Sequence, residues 1–181
     1  MNLIESFQNL VAQVPDLVQP LIVALAGAVP FIEGEGAAAI GIIGGIHPVV
    51  AGIAAAIGNF ACVALLVLLG AGARRAVVTR RQGRVRDEAL VAAGQAGGGV
   101  VGPVVEPTSP RREKFQRALV RYGVPGVSLL GPLLLPTHFT ATMLAAAGVG
   151  RARILFWQAL AIAGWTTAIT LILTGVISAV G

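Results

Sequence analysis

Residues 21–46 read LIVALAGAVPFIEGEGAAAIGIIGGI, an apolar run interrupted near its centre by Pro30 and by the acidic pair Glu33 and Glu35. As helices, the apolar pieces on either side of this interruption would each be roughly 15–18 Å long, at about 1.5 Å per residue. The hydrocarbon core of a bilayer is about 30 Å thick and takes about 20 apolar residues to cross. Each piece reaches about half-way. The pattern therefore predicts a re-entrant helical hairpin that enters and leaves a membrane by one face.

The composition predicts an integral membrane protein. Of the 181 residues, 56% are hydrophobic and 12% are charged, with a mean hydropathy of +0.84. A soluble domain carries roughly 25% charged residues. Charged side chains are absent from residues 36–73, 122–150 and 154–181. Within these stretches, residues 48–70 and 154–180 are long enough to form complete transmembrane helices.

The basic residues are concentrated in one segment. Residues 71–121 hold 11 of the 13 Lys and Arg and only 4 acids. Because Lys and Arg are retained on the cytoplasmic side of a membrane, we expect this segment to be cytoplasmic and the chain to be a multi-pass protein of the cytoplasmic membrane. The net charge of +5 does not indicate nucleic-acid binding, since the basic side chains flank apolar spans.

The second half of the chain repeats the order of the first. Residues 122–135 and 139–149 are short apolar pieces around a break at Pro136, Thr137 and His138, and a full span follows. The predicted fold class is an all-α integral membrane protein, an inverted repeat of re-entrant hairpin plus transmembrane helix with an amphipathic helix in front. The predicted divisions are 1–19 (amphipathic interfacial helix), 20–70 (first hairpin and transmembrane helix), 71–121 (basic cytoplasmic loop and interfacial helix) and 122–181 (second hairpin and transmembrane helix).

A plainer topology is the alternative. Residues 21–46 and 122–149 would then be complete spans of a four-helix protein. Arg151 and Arg153 would fall outside, against the positive-inside rule. Glu33 would lie on an ordinary helix in mid-membrane, at a cost of at least ~2.5 kcal/mol. The inverted hairpins avoid both problems and are favoured.

The interruptions carry the candidate functional residues. Glu33 and Glu35, flanked by glycines, indicate a proton-coupled site or a solvated turn, and His138 can change charge near neutral pH. Three prolines break the helices and free backbone groups to meet a ligand: Pro30, Pro132 and Pro136. Thr137 lies in the second break.

Two further residues join this set. Asn59 lies within a full span, where an amide either joins helices by hydrogen bonding or binds substrate. Arg121 precedes the second hairpin, where it would attract an anionic head group or set the orientation of the chain.

Some chemistries are not indicated. Cys62 is the only cysteine, which excludes an internal disulfide and a cysteine-based metal cluster. The sequence contains no Walker A, zinc-protease or nucleophile-elbow pattern. We therefore expect no enzymatic activity, no cofactor and no metal.

Two stretches resemble a known family. VPFIEGEGAAAIGIIGGIHPVVAGIAAAIGN and RYGVPGVSLLGPLLLPTHFTATMLAAAGVGR are similar to the small multi-drug export family, which shares its plan with DedA-like (VTT-domain) membrane proteins. The resemblance implies a bacterial inner-membrane protein with two opposed re-entrant hairpins. It also implies links to proton-dependent membrane homeostasis and to the return of polyprenyl-phosphate lipid carriers. Glu33 best matches the hairpin acid of that family, with Glu35 next, and His138 stands roughly where a basic residue is expected.

These observations favour a secondary transporter or lipid flippase. It would be proton-coupled and would move an anionic lipid carrier or an amphiphilic small molecule. One alternative is a four-helix exporter of drug cations, and another is a structural subunit of a membrane complex. The expected partners are the bilayer and the substrate, with no nucleic acid. A second copy in a homodimer would cover the half-spanning hairpins.

Overall fold

The computed structural model describes residues 3–92, 110–133 and 135–180, and within these ranges the chain is all-helical. The predicted all-helical class is therefore confirmed. The helices are α1 (Leu3–Gln13), α2 (Gln19–Gly27), α3 (Glu33–Ile43), α4 (Pro48–Ala92), α5 (Pro110–Leu130), α6 (Thr137–Ala146) and α7 (Arg151–Val180), with a 3-10 turn at Gly131–Leu133.

In the described part of the chain, two helices are long and apolar enough to cross a membrane. They are the first part of α4, Pro48–Gly70, and the whole of α7, Arg151–Val180. Both coincide with the spans predicted from the charge-free runs, so the prediction of two apolar helices of membrane-spanning length is confirmed. The two helices are antiparallel, because Gly52 of α4 lies beside Thr170 of α7 and Val63 packs near Ile154.

Helix α4 does not stop where the basic segment begins. The predicted loop started at residue 71, whereas the helix continues to Ala92. No proline interrupts residues 49–92, and Ala and Arg, both good helix formers, are frequent beyond Gly70. The Gly/Pro-rich loop predicted next falls outside the described residues, apart from Pro110, where α5 begins.

Helix α1 is shorter than the predicted amphipathic segment. It ends at Gln13, since the residue before a proline disfavours helical geometry and Pro15 follows. Its Val11 is fully buried and lies against Gly44 at the end of α3. Helix α1 therefore packs on the open end of the α2–α3 pair.

Helices α2 and α3 form an antiparallel hairpin of 9 and 11 residues. A side chain at Gly41, late in α3, would meet Val23 in the middle of α2 and Ala51 in the first turn of α4. The prediction put the Glu33–Glu35 pair in the hairpin turn, but α3 already begins at Glu33. The turn lies earlier because Pro30 ends α2, and the Ile32 and Glu33 amides both donate to the Val29 carbonyl.

The closed end of this hairpin lies beside the middle of the apolar part of α4, Pro48–Gly70. A Cβ atom at Gly58 would overlap the backbone carbonyl of Ala24, so α2 and α4 touch backbone to backbone. The next residue, Asn59, is the central residue of Pro48–Gly70. The hairpin thus extends along the first half of the span and stops at its midpoint.

The second short pair packs on the other half of α4. Helix α5 kinks at Gly123 (φ 67°, ψ −174°), two residues before Pro125. The part of α5 after the kink and α6 then pack against the start of α7. Two apolar clusters result. The first apolar cluster contains Val11, Val23, Ala26, Ala37, Ala38, Ile40, Ile42, Ile46, Ala51, Ala54 and Ala55. The second apolar cluster contains Val63, Val67, Val124, Val127, Ala141, Leu144, Ile154 and Ile162.

We expect Gly58→Ala to destabilise the fold. The added methyl group meets the backbone of Ala24, which can yield only if α2 separates from α4, and such overpacking typically costs about 1–3 kcal/mol. Denaturation of the purified protein in detergent measures the loss. Gly164→Ala is the control: no atom lies within 4 Å of the new Cβ, so stability should be unchanged or slightly higher. Equal stability of the two variants would contradict the close α2–α4 contact.

Candidate functional site

Buried polar side chains collect between the two apolar clusters. We call this set the polar layer; its members are Glu33, Asn59, Ser128, Thr137, His138, Thr140, Gln158 and Thr166, each less than 8% exposed. Asn59 is at the middle of the α4 span, and Thr166 is within one residue of the middle of α7. Buried polar groups need partners to offset their desolvation, so their contacts decide what this layer can do.

Glu33 is the centre of the polar layer. Its Oε1 accepts a hydrogen bond from the backbone amide of Thr137 and another from the Thr137 hydroxyl at 2.8 Å. The Nδ1 atom of His138 lies 3.3 Å from the same oxygen. One carboxylate oxygen therefore receives three groups from the beginning of α6, more than 100 residues away along the chain.

The local sequence explains why α6 needs this carboxylate. A helix begins with backbone amides that have no partner within the helix, and a polar side chain normally caps them. Pro136 occupies the cap position (φ −51°, ψ 142°) and has no side-chain acceptor. Glu33 caps α6 from another helix instead. The partial positive charge at the start of α6 in turn stabilises the buried carboxylate.

Asn59 extends the network to α4. Its Oδ1 lies 3.2 Å from the Thr137 hydroxyl, whose single hydrogen is already donated to Glu33, while its Nδ2 has no partner among the described residues. When the oxygen and nitrogen of the Asn59 side chain exchange places, the Asn59 nitrogen donates a hydrogen bond and the Thr137 hydroxyl oxygen accepts it. We adopt that orientation, in which Glu33, Thr137 and Asn59 form one directed chain of hydrogen bonds.

The turn that presents Glu33 is strained. Phe31 and Glu33 have φ angles of 75° and 54°, in the left-handed region that costs a non-glycine residue roughly 1–2 kcal/mol. Gly34 follows, where a Cβ atom would overlap the Thr166 hydroxyl oxygen. Backbone strain of this kind persists where the surrounding structure holds it and is frequent at functional sites.

The structure brings four predicted site residues together and leaves the others apart. Glu33, Thr137, His138 and Asn59 form the network. Glu35 is half-buried and takes no part in these contacts, since two positions along a helix point in different directions.

The remaining predicted residues lie around the network. Arg121 is exposed, and its guanidinium lies 5.4 Å from the Tyr122 ring centre, ahead of the kink in α5. Pro30 lies in the first hairpin turn, Pro132 in the 3-10 turn and Pro136 at the start of α6.

Sequence reasoning did not single out three members of the polar layer, Thr166, Thr140 and Ser128. Thr166 lies eight residues after Gln158, a spacing that places both on one face of α7, so this pair carried a readable signal. Ser128 had none, because a lone serine in an apolar piece is unremarkable. Among the described residues, no group of three or more His, Cys, Asp or Glu is arranged to hold a metal ion.

No family model, curated protein or solved structure matches this chain. The family resemblance of the two quoted stretches therefore stays a prediction, and the chemistry rests on the polar layer itself. A carboxylate and an imidazole at 3.3 Å are close enough to exchange a proton.

We expect Glu33→Ala to destabilise the protein. It leaves the Thr137 amide and hydroxyl without their acceptor, and an unpaired buried group costs about 1–3 kcal/mol. Chemical denaturation of the full chain in detergent measures this loss. Glu35→Ala removes an equal carboxylate from the same helical turn without touching the network, and should have a much smaller effect. A loss as large for Glu35→Ala would show that the network is not what stabilises this turn.

Proposed function

We propose that this chain is a multi-pass protein of the bacterial cytoplasmic membrane that acts as a proton-coupled secondary transporter or lipid flippase. Its substrate would be an anionic lipid carrier or a small amphiphile. The observation that carries the proposal is the buried contact of Glu33 with Thr137 and His138, beside the midpoints of both long helices. Ionisable side chains at such depth in a membrane are costly and usually functional.

The exposed surface supports the membrane placement. Only 28% of the apolar window of α4 and 17% of that of α7 is buried, whereas the core helix of a soluble protein is mostly buried. Large apolar side chains such as Leu69 and Leu171 are more than 60% exposed. A lipid environment accommodates this surface, while water would drive it to associate.

The packing of the short helices supports two re-entrant hairpins. Helices α2 and α3 accompany the first half of the α4 span, and the segment from Val124 to Ala146 accompanies its second half and the start of α7. Because α4 and α7 are antiparallel, the hairpins would enter from opposite faces and meet at mid-depth. Inverted repeats with broken helices at the midplane recur in transporters. At 9 and 11 residues, α2 and α3 are each too short to span.

The electrostatics of the meeting point favour an anionic substrate over a drug cation. Both α3 and α6 begin there, so two positive helix ends face the same region. Glu33 already accepts hydrogen bonds, unlike the unpaired acid that would bind a cation. An anionic head group that displaced Glu33 would find the donors of Thr137 and His138.

Proton coupling would rest on few groups. The titratable side chains near the meeting point are Glu33, the half-buried Glu35, His138 and the thiol of Cys62. Helix α2 and the buried face of α7 contribute none. Glu33 and His138 are in contact with each other. Proton uptake by one of the two side chains would weaken the interaction between them and open the network.

The inverted-hairpin topology predicts where the C-terminus lies. With the basic segment in the cytoplasm and each hairpin returning to its own face, a reporter fused after Gly181 should report the external side in intact cells. Four complete spans would bring it to the cytoplasm. A fusion within the basic segment serves as the cytoplasmic control, and a cytoplasmic signal from both fusions would rule out the inverted arrangement.

Glu33→Gln should abolish proton-dependent transport while preserving the shape of the site. Vesicles of phosphatidylcholine would carry the purified protein and a tail-labelled fluorescent phosphatidic acid, and a membrane-impermeant reductant would report exchange between leaflets. We expect a pH gradient to accelerate exchange with the wild-type protein. The acceleration should disappear with Glu33→Gln and His138→Asn, which cannot pass the proton. Glu35→Gln is the matched control and should retain it.

Two outcomes would favour the alternatives. Efflux of ethidium that depends on Glu33, without lipid exchange, would favour the drug-cation exporter. An absence of any transport, with all variants equally stable, would favour a structural subunit.

A further inference from the structure

Gln158 has no place in the network described above. Its side chain is fully buried, and neither Nε2 nor Oε1 has a hydrogen-bond partner within residues 3–92, 110–133 and 135–180. A carboxamide offers two donor hydrogens and an acceptor oxygen, and each group buried without a partner costs about 1–3 kcal/mol. Gln158 is thus among the most costly side chains in the described part of the protein, unless it binds something.

Two further buried polar atoms on the same side of the polar layer, Ser128 Oγ and His138 Nε2, also have no hydrogen-bond partner among the described residues. Ser128 is fully buried with an unpartnered Oγ, and it follows Val127 of the second apolar cluster. Gln158 lies one turn from both Ile154 and Ile162 of that cluster, on the same helix face. Both polar side chains therefore lie within the half of the molecule where α4 leads into the basic segment.

His138 connects this half to Glu33. Its Nδ1 faces the Glu33 carboxylate, so Nε2, on the opposite edge of the ring, points away from it. Nε2 is buried and has no partner in the described ranges. Ala141, one turn later on the same face of α6, belongs to the second apolar cluster.

The described residues of the other half, away from the basic segment, lack this feature. The polar residues of α7 beyond Thr166 are Thr170, Thr174 and Ser178, and each donates to the backbone carbonyl four residues earlier. They need no further partner. The first apolar cluster is built of aliphatic side chains, many of them alanine. At the centre of the polar layer, Thr166 Oγ1 and one amide atom of Asn59 also lack a partner. Among the described residues, the unpartnered buried side-chain atoms therefore run from the centre of the polar layer toward the basic segment.

We propose that Gln158, Ser128 and the Nε2 edge of His138 bind a file of water molecules that carries protons between the Glu33–His138 pair and the basic-segment side. The donors and acceptors of water match all three groups, and a site with several polar partners holds water well. This inference deepens the proposed function and rests on it. It identifies the side from which the buried pair exchanges protons.

The first test is Gln158→Leu, which keeps the approximate shape and removes the polar atoms. The variant removes the polar group and the water bound to it together, and exchanging a buried polar pair for an apolar group of similar shape is nearly neutral or stabilising. We expect an unfolding temperature in detergent equal to or above that of the wild type, together with a loss of pH-gradient-driven lipid exchange in vesicles. Ile154→Leu, an apolar exchange one turn away, is the control and should preserve transport. A structural role for Gln158 predicts a lower unfolding temperature instead.

The second test measures water access directly. In a Cys62→Ala background, Gln158→Cys and Ser128→Cys would be treated in vesicles with a small cationic, membrane-impermeant methanethiosulfonate. We expect both thiols to react from the basic-segment side and not from the other side. Ala55→Cys, equally buried in the first apolar cluster, should remain unreactive from both sides.

The outcomes separate this inference from the proposed function. Transport that requires Glu33, with a destabilised Gln158→Leu and thiols no more reactive than at position 55, would overturn the water file and leave the transporter proposal standing. Reactive thiols and a Gln158→Leu variant no less stable than the wild type, in a wild-type protein that transports nothing, would retain the hydrated site and overturn the transporter.

Discussion

The hydrogen bond from the Thr137 amide to the Glu33 carboxylate is the contact on which the remaining structure depends. It caps the buried start of α6, and it stabilises the buried carboxylate of Glu33, which no cation accompanies. Neither half of the chain can satisfy its own group, because Pro136 offers no acceptor and α2 offers no charged side chain. The bond therefore ties the two halves together at the beginnings of two short helices, α3 and α6.

The two sides of this contact are packed in different ways. Toward the first apolar cluster, small residues let helices meet backbone to backbone, as where Gly58 touches Ala24. Such close contact excludes water and is typical of helix association in lipid. Toward the second cluster, larger aliphatic side chains surround Gln158 and Ser128. The helices are thus closely packed on one side of the polar layer, and unpartnered polar atoms lie on the other side. The proposed exchange of protons with one compartment requires such an asymmetry.

The sequence predicted the parts of the fold that depend on composition and missed those that depend on contacts. Charge-free runs defined both long helices, and prolines marked both interruptions. The start of α3 at Glu33 could not be predicted, because it depends on a turn with left-handed Phe31 and Glu33 that distant packing sustains. The encounter of Glu33 with His138 also lay beyond local patterns, since the residues are 105 positions apart. The role of Arg121 stays a prediction: its side chain is exposed, and its guanidinium lies 5.4 Å from the Tyr122 ring centre.

Two independent costs converge on the same layer and support the proposed proton-carrying function. The left-handed turn costs roughly 1–2 kcal/mol per residue, and each unpartnered polar atom about as much or more. A protein selected only as a membrane scaffold could relieve the second cost by a single change to an aliphatic residue, which lipid-facing helices readily accept. The strain presents a carboxylate to an imidazole, and the unpartnered atoms begin at the far edge of that imidazole. A proton-carrying site would require strained and unpartnered polar groups to follow one another along a single route. A scaffold would gain nothing from that arrangement.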